Sequence, residues 1–329
     1  MKRESTGSYV PTTAGGERVD AFVPTPLPPE PPLMWDGELA MLLSEASSAV
    51  GRLDGSARVL PNRELFIDAY VKKEAVLSSQ IEGTRSSLSD LYRYAHGGSV
   101  DEGSDVVEVS NYVEAMKHGL SRLRGGFPVS NRLIREIHEV LLSKGVGADK
   151  APGEFRRSQI WIGGTRPGNA AFVPPPHTYV EGCMGDLERF LHAVDDGIPA
   201  LVRAALAHVQ FETIHPFLDG NGRVGRLLIT LLLINAGVLQ EPVLYLSLYL
   251  KTHRQRYYEL LDESGRQTGD WEAWLTFFLE GVIETAENAH QTTDRLGRMF
   301  DEDRARIGGS GRRAGSGLKV FDELMRHPE

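Results

Sequence analysis

The sequence predicts an all-α protein, a helical bundle interrupted by one small β-hairpin. Three observations carry this reading. Apolar residues recur at helical spacing from Trp35 onward, β-prone runs flank a turn around residues 159–173, and the composition lies in the ordinary globular range.

A chain of 329 residues can bury a substantial core. Lys and Arg number 36 against 45 Asp and Glu, a net charge of −9, which argues against a broad electrostatic grip on nucleic acid and leaves only a local basic patch open. The expected polymer partner is a protein. Cys183 is the single cysteine, so an intramolecular disulfide and a thiolate metal cluster are both excluded, and a reducing cytosol suits the chain. The first residues lack an apolar stretch of signal length, and no run of about 18 apolar residues occurs. A soluble cytoplasmic protein with no membrane partner is the expectation.

Residues 1–33, rich in Gly, Thr and Pro, read as an extended and weakly ordered Pro-rich arm with no assigned fold. Residues 34–125 form an N-terminal helical region. Leu39, Leu42, Leu43 and Ala46 share one face; Ile67, Tyr70, Ala75 and Leu77 belong to the next helix, at about 63–83, which stops at Gly83, the residue best suited to a left-handed helix end. Further helical segments fall at about 106–123, 130–142, 180–194, 199–214, 223–236, 253–263 and 270–290, and 126–295 reads as the core unit. Within it Gln159–Ile162 and Ala171–Val173 bracket a Gly/Pro/Asn turn, a hairpin over about 158–174 that must lean on helices or accept another strand. Residues 296–329 read as a Gly-rich linker and a short C-terminal helix bearing Leu318, Phe321, Leu324 and Met325.

The chemistry concentrates in HPFLDGNGRVGR, His215 to Arg226. Pro216 disfavours helical geometry at the residue before it, which places His215 where a helix ends and lets its imidazole enter a cavity. Asp219, Gly220, Asn221 and Gly222 compose a tight loop whose backbone N–H groups converge on an anion. Arg223 and Arg226, three apart, share one face of the following helix. A helix N-terminus already carries about half a positive charge, so each arginine there is disfavoured by roughly 0.3–1 kcal/mol unless an anion binds. Bidentate guanidinium groups and free N–H donors favour a polyphosphate. Asp219 is the one acid in this basic loop, a position that makes sense if it holds Mg²⁺ on phosphate oxygens. His215 lies near to accept a proton from an attacking hydroxyl. Singly, each residue has a plain structural reading; their order within one short segment outweighs it. His208, on an apolar stretch, reads as a packed core residue.

This segment resembles the signature of the Fic family, His-x-Phe-x-Asp/Glu-Gly-Asn-Gly-Arg-x-x-Arg, at every specified position. The resemblance spans about 35–290, with PGEFRRSQIWIGG and AFVPPP similar to the family's target-positioning flap. It implies a Fic-fold helical bundle in which His215 deprotonates a Ser, Thr or Tyr hydroxyl of a target protein. That oxygen then attacks the α-phosphate of ATP and pyrophosphate leaves. By position, Asp219 would hold Mg²⁺, and the nucleotide would be bound by Gly220, Asn221, Gly222, Arg223, Val224, Gly225 and Arg226, with Tyr257 or Tyr258 walling the adenine. Cys183 is then a packing residue. The resemblance further implies a target protein docked at the flap and self-modification; relatives often form a homodimer, and the oligomeric state of this chain stays open.

A second resemblance concerns regulation. SSQIEG, Ser78 to Gly83, matches the family's inhibitory motif Ser/Thr-x-x-x-Glu-Gly/Asn, N-terminal to the core. Ser78 and Glu82 share a helical face, and a carboxylate at the last turn calls for an external cation, Arg226 being the candidate. Glu82 on Arg226 would displace the γ-phosphate and misalign the α-phosphate. Two alternatives stay open: removal of AMP with Glu82 positioning water, and a non-catalytic adaptor, which the short tail after 296 does not favour. The target, the modified hydroxyl and the preferred nucleotide donor are not readable from the letters.

Overall fold

A computed structural model of the chain describes residues 2–3, 5–60, 63–98, 104–193, 196–309, 311 and 314–326. Twelve α-helices are assigned among them, and the two most central are buried on every side. In α7 (Ala200–Ile214) all residues from Ala204 to Ile214 are buried, and α8 (Asn221–Asn235) buries Asn221 and everything from Arg223 to Leu233. A helix buried on every side belongs inside a protein, and each fully buried Leu or Phe there contributes about 1.5–3 kcal/mol. The loop between them, residues 215–220, therefore emerges from the middle of the molecule.

Outer helices close around this pair. Asp36 caps α1 (Gly37–Arg58) by accepting from the Leu39 N–H at 2.8 Å, and Ala46, Ala49, Val50 and Leu53 lay that helix along α11 (Trp271–Gly308). Helix α2 (Arg63–Ile81) packs on α4 (Asp105–Arg124), α8 and α9 (Ser247–Thr252). Helix α3 (Leu88–Ala95) opens with a reciprocal capping box between Ser87 and Asp90. Helices α5 (Asn131–Leu141), α6 (His177–His192) and α10 (Arg254–Asp262) complete the bundle, α10 running into a π-helical turn, Glu263–Gln267. One apolar cluster runs from Leu39 to Ala289, so the regions 34–125 and 126–295 share a core. No described helix is long and apolar enough to cross a membrane.

Three features differ from the sequence reading. The arm is ordered: β1 (Gly7–Ala14) and β2 (Glu17–Pro24) form an antiparallel hairpin joined through Gly15 and Gly16, both at positive φ, the geometry of the tight turns that suit strand twist. The expected flap hairpin is instead a single bridge, Ile162 to Phe172, around a 3₁₀ turn at Pro167–Asn169. Residues 296–308 are not linker but the last turns of α11, and only the following few residues separate it from α12 (Ala314–Arg326). The Met325 side chain lies outside the described residues.

Candidate active site

Helix α7 ends at His215, whose backbone is left-handed at φ 48° and ψ 63°, an uncommon state for a residue with a Cβ. Buried Arg156 holds it there. Its Nε donates to the His215 carbonyl at 2.9 Å, while its Nη2 donates to Pro175 O at 2.6 Å and its Nη1 to Ser158 O at 3.3 Å. One guanidinium thus ties the end of α7 to both legs of the flap. Burial lowers Arg156 to about 10, which leaves it charged at neutral pH.

The His215 ring approaches the Glu212 carbonyl with Nδ1 at 3.4 Å. A carbonyl can only accept, so the proton sits on Nδ1 and Nε2 presents its lone pair. Burial lowers the imidazole to about 4, and the ring is neutral at physiological pH. It borders a cavity of about 450 Å³ whose walls include Glu82, Glu108, Asp219, Gly220, Gly222 and Arg223.

Asn221 shapes the loop from within. Its Oδ1 accepts from Phe217 N and its Nδ2 donates to Phe217 O, both at 2.9 Å, so the side chain is spent on the backbone and only its N–H remains for a phosphate. His138 braces the same loop, a residue the sequence reading did not single out. Its Nδ1 accepts from Gly153 N at 2.8 Å, which places the proton on Nε2, donated to Asp219 O at 3.0 Å; the ring stacks on Phe217 at 3.7 Å. Burial lowers it to about 4, so it serves as a neutral strut.

Arg223 donates to Glu108 Oε2 at 2.7 Å and to Asp219 Oδ1 at 3.5 Å, and its buried Nε has no partner among the described residues. Glu108, on α4, was not visible as a site residue; its signal was an acid inside the apolar run VVEVSNYV. Arg226 donates from Nε to Ser78 Oγ at 2.8 Å, and from Nη2 to Ser78 O at 3.1 Å and to Glu82 Oε1 at 2.6 Å. Burial works against the Glu82 charge, but Arg226 outweighs it and holds the carboxyl below its usual range. Gly83, at φ 107°, ends the α2 segment just after it. A Cβ on Gly222 would stand 2.3 Å from Glu82 Oε1, so this glycine admits the carboxylate. Gly225 does the same for another acid, its Cβ falling 2.2 Å from Glu212 Oε1. Burial pushes Glu212 up to about 7.

Of the expected nucleotide contacts, Val224, Gly225, Arg226, Tyr257 and Tyr258 are not among the residues lining this cavity. Val224 is 1 % exposed and packs in the core. Tyr257 is equally buried, its hydroxyl 2.8 Å from His208 Nε2, so it belongs to the core with His208 and Trp274, whereas Tyr258 is 41 % exposed. Neither tyrosine lines the cavity.

Could these residues hold Mg²⁺ with a polyphosphate? The cavity carries Glu82, Asp105, Glu108 and Asp219 against Arg223, an excess of negative charge at the N-terminus of α8. Phosphates would be repelled from such walls unless a cation came with them, and Asp219, 37 % exposed in its side chain, is the acid within the loop itself. The donor set fits a single-carboxylate magnesium site completed by phosphate oxygens and water.

Comparison with known proteins places the chain in a family. Profiles described as Fic/DOC family N-terminal and Fic/DOC family match residues 40–121 and 128–233. A protein of Aquifex aeolicus named "Probable protein adenylyltransferase" is 30% identical over 268 residues, covering 80% of this chain and 69% of its own length. "Protein adenylyltransferase Fic" of Drosophila melanogaster is 28% identical over 244 residues, 74% of this chain, and of Aedes aegypti 33% over 229 residues, 67% of this chain. This chain spans 46% of the fly protein's length and 42% of the mosquito's. Among solved structures, a Fic family protein from Desulfovibrio desulfuricans shares the fold at a TM-score of 0.66 and 21% identity, with 88% of this chain and 86% of that one covered.

Proposed function

This chain belongs to the Fic/DOC family, and from that premise we propose that it is a protein adenylyltransferase, moving AMP from ATP onto a Ser, Thr or Tyr hydroxyl of a target protein and onto itself. The observation that carries the reading is a neutral His215 lining the same cavity as Asn221, Gly222 and Arg223 at the N-terminus of α8. His215 takes the hydroxyl proton on Nε2; the oxygen forms a bond to the α-phosphorus, and the bond to the pyrophosphate oxygen breaks. The backbone N–H groups of Gly220 to Gly222 and the guanidinium groups of Arg223 and Arg226 bind the phosphates. Asp219 would hold Mg²⁺, which supplies charge neutralisation on the phosphate oxygens.

Glu82 keeps the enzyme off. Arg226 cannot serve a γ-phosphate while its Nη2 is given to Glu82, so ATP loses the anchor that aligns its α-phosphate. Incubation with ATP labelled at the α-phosphate and Mg²⁺ tests the reading: label on protein should be strong with Glu82→Gly and absent with Glu82→Gly/His215→Ala. Label that survives loss of His215 would refute it. A second reading, release of AMP from a modified target, draws on one fact: ionised Glu82 is 38 % exposed in its side chain and borders the same cavity as His215, where it could orient a water. AMP release that disappears in Glu82→Gly would identify that activity.

A further inference from the structure

The N-terminal hairpin lies outside both family matches and packs against the flap. Its base is fixed to the bundle. Arg3, 5 % exposed, pairs with Glu272 through Nη2 at 2.9 Å and donates to Gly269 O at 2.6 Å, while Gln210 of α7 donates to Thr25 O at 2.9 Å. Its far end rests on the tip of the flap: Glu17 Oε2 accepts from Arg166 Nη1 at 2.5 Å and from Gly168 N at 3.2 Å, and Gly15 abuts Pro167 and Trp161. Between these ends Phe22 N donates to Val173 O at 2.9 Å, and the Phe22 ring backs Phe172, which Arg266 covers at 3.9 Å.

The flap has little stability of its own. Among the described residues the Ile162–Phe172 bridge, bonded at 2.8 and 3.1 Å, is the one backbone pairing between its legs; side-chain bonds from Gln159 to Pro174 O at 2.9 Å and from Arg156 at the base add to it, and an isolated hairpin is marginal in water. Side by side the segments run β1, β2, 171–173 and 159–162, with one hydrogen bond joining β2 to Val173 and one bridge joining the last two. The hairpin therefore covers one side of the flap and leaves the 159–161 edge without a backbone partner among the described residues.

We propose that the β1–β2 hairpin is a strut running from α7 and α11 to the flap tip, which sets the flap's angle over His215, with Glu17 as the positioning residue at its end. The strut itself rests on contacts; what it positions, an acceptor hydroxyl carried by an extended segment on the 159–161 edge, rests on the transferase reading. α7 carries His215 at one end and Gln210 near it, so the same helix fixes both the base and the strut that aims the flap.

The test uses the full chain in the Glu82→Gly background with two readouts. Amide hydrogen exchange at Ile162 and Phe172 reports flap opening without any nucleotide chemistry. Transfer from α-phosphate-labelled ATP to a fixed cell lysate reports acceptor use, with MgATP affinity by calorimetry as control. Glu17→Arg, which sets like charges at the tip, should speed exchange about fivefold and cut transfer about fivefold, the size expected from losing one exposed charge pair, with MgATP affinity unchanged. Arg166→Glu added to it should restore both. Unaltered exchange in Glu17→Arg overturns the strut; faster exchange with undiminished transfer overturns its positioning role. If the Glu82→Gly reference transfers no label, the transferase reading fails, and exchange with its charge-swap rescue decides the strut alone.

Discussion

Arg226 Nη2 lies 2.6 Å from Glu82 Oε1, and the same guanidinium takes Ser78 through both its hydroxyl and its carbonyl. The end of α2 is thereby bolted to α8 at three points. Glu74, one turn before Ser78 and buried, reinforces the seat by accepting from the Ser247 N–H and hydroxyl at the start of α9. A triphosphate that needs Arg226 competes with the last of these contacts.

Removing the competitor should raise both affinity and rate. In Glu82→Gly, transfer should increase on the order of 5- to 150-fold, the usual span of coupling between two ligands that contend for one group. Ser78→Ala keeps the carboxylate and loses one acceptor, so it should activate less. Equal label incorporation by wild type and Glu82→Gly at saturating ATP would remove the inhibitory role.

The His215 base stays unprotonated well into the acid range, because burial lowers it to about 4 from its usual 6.5. Transfer by Glu82→Gly should hence hold steady as pH falls from 7 to 5.5, where a free imidazole would already have lost most of its base form. A pH–rate profile with an acid limb centred near 6.5 would contradict this, provided MgATP binding is constant across it.

Glu212 should give stability the opposite dependence. Its folded value, about 7, is above the usual 4.5 because the side chain is buried, so the folded state retains a proton that the unfolded state gives up. Its contribution is fully present below pH 4.5 and disappears as pH rises through 7, a change of about 3 kcal/mol. Glu212→Gln, which cannot ionise, should gain on wild type between pH 5 and pH 8. Urea midpoints measured at both values check this, and an identical difference at each would mean that Glu212 is ionised throughout.

His138→Ala removes two buried hydrogen bonds and a ring stacked on Phe217, a loss on the order of 3 kcal/mol in urea unfolding. It should also weaken MgATP binding, since the Asp219 carbonyl loses its donor. A destabilised variant with full MgATP affinity would show that the brace serves the fold alone.

Much of this was legible in the letters. The loop from His215 to Arg226 announces itself because tight turns, anion nests and helix starts each demand particular residues at neighbouring positions, and helix periods placed α4 to α8 within a few residues. Contacts that join distant segments carry no such local signal: nothing near Glu108 or Arg156 foretells Arg223 or the His215 carbonyl. The N-terminal hairpin does carry a local signal, Gly15-Gly16 as a turn between two runs, but the Gly, Thr and Pro content of the arm masks it, and Pro11 is tolerated because β1 has no further strand beside it among the described residues.

Arg156 offers the sharpest separation of geometry from charge. Its fork spans carbonyls of His215, Pro175 and Ser158, which lie on two segments far apart in sequence, and His215 pays for its left-handed backbone with about 1–3 kcal/mol that these bonds offset. A lysine keeps the charge but is a point donor on a flexible stem and cannot reach both sides. Arg156→Lys in the Glu82→Gly background should therefore lower kcat on the order of 100-fold, the cost of a base displaced by about 1 Å, while KM for ATP changes little because no phosphate contact is touched. If kcat survives and KM rises instead, Arg156 acts on nucleotide binding, and the link between the flap legs and the position of His215 is not what sets the rate.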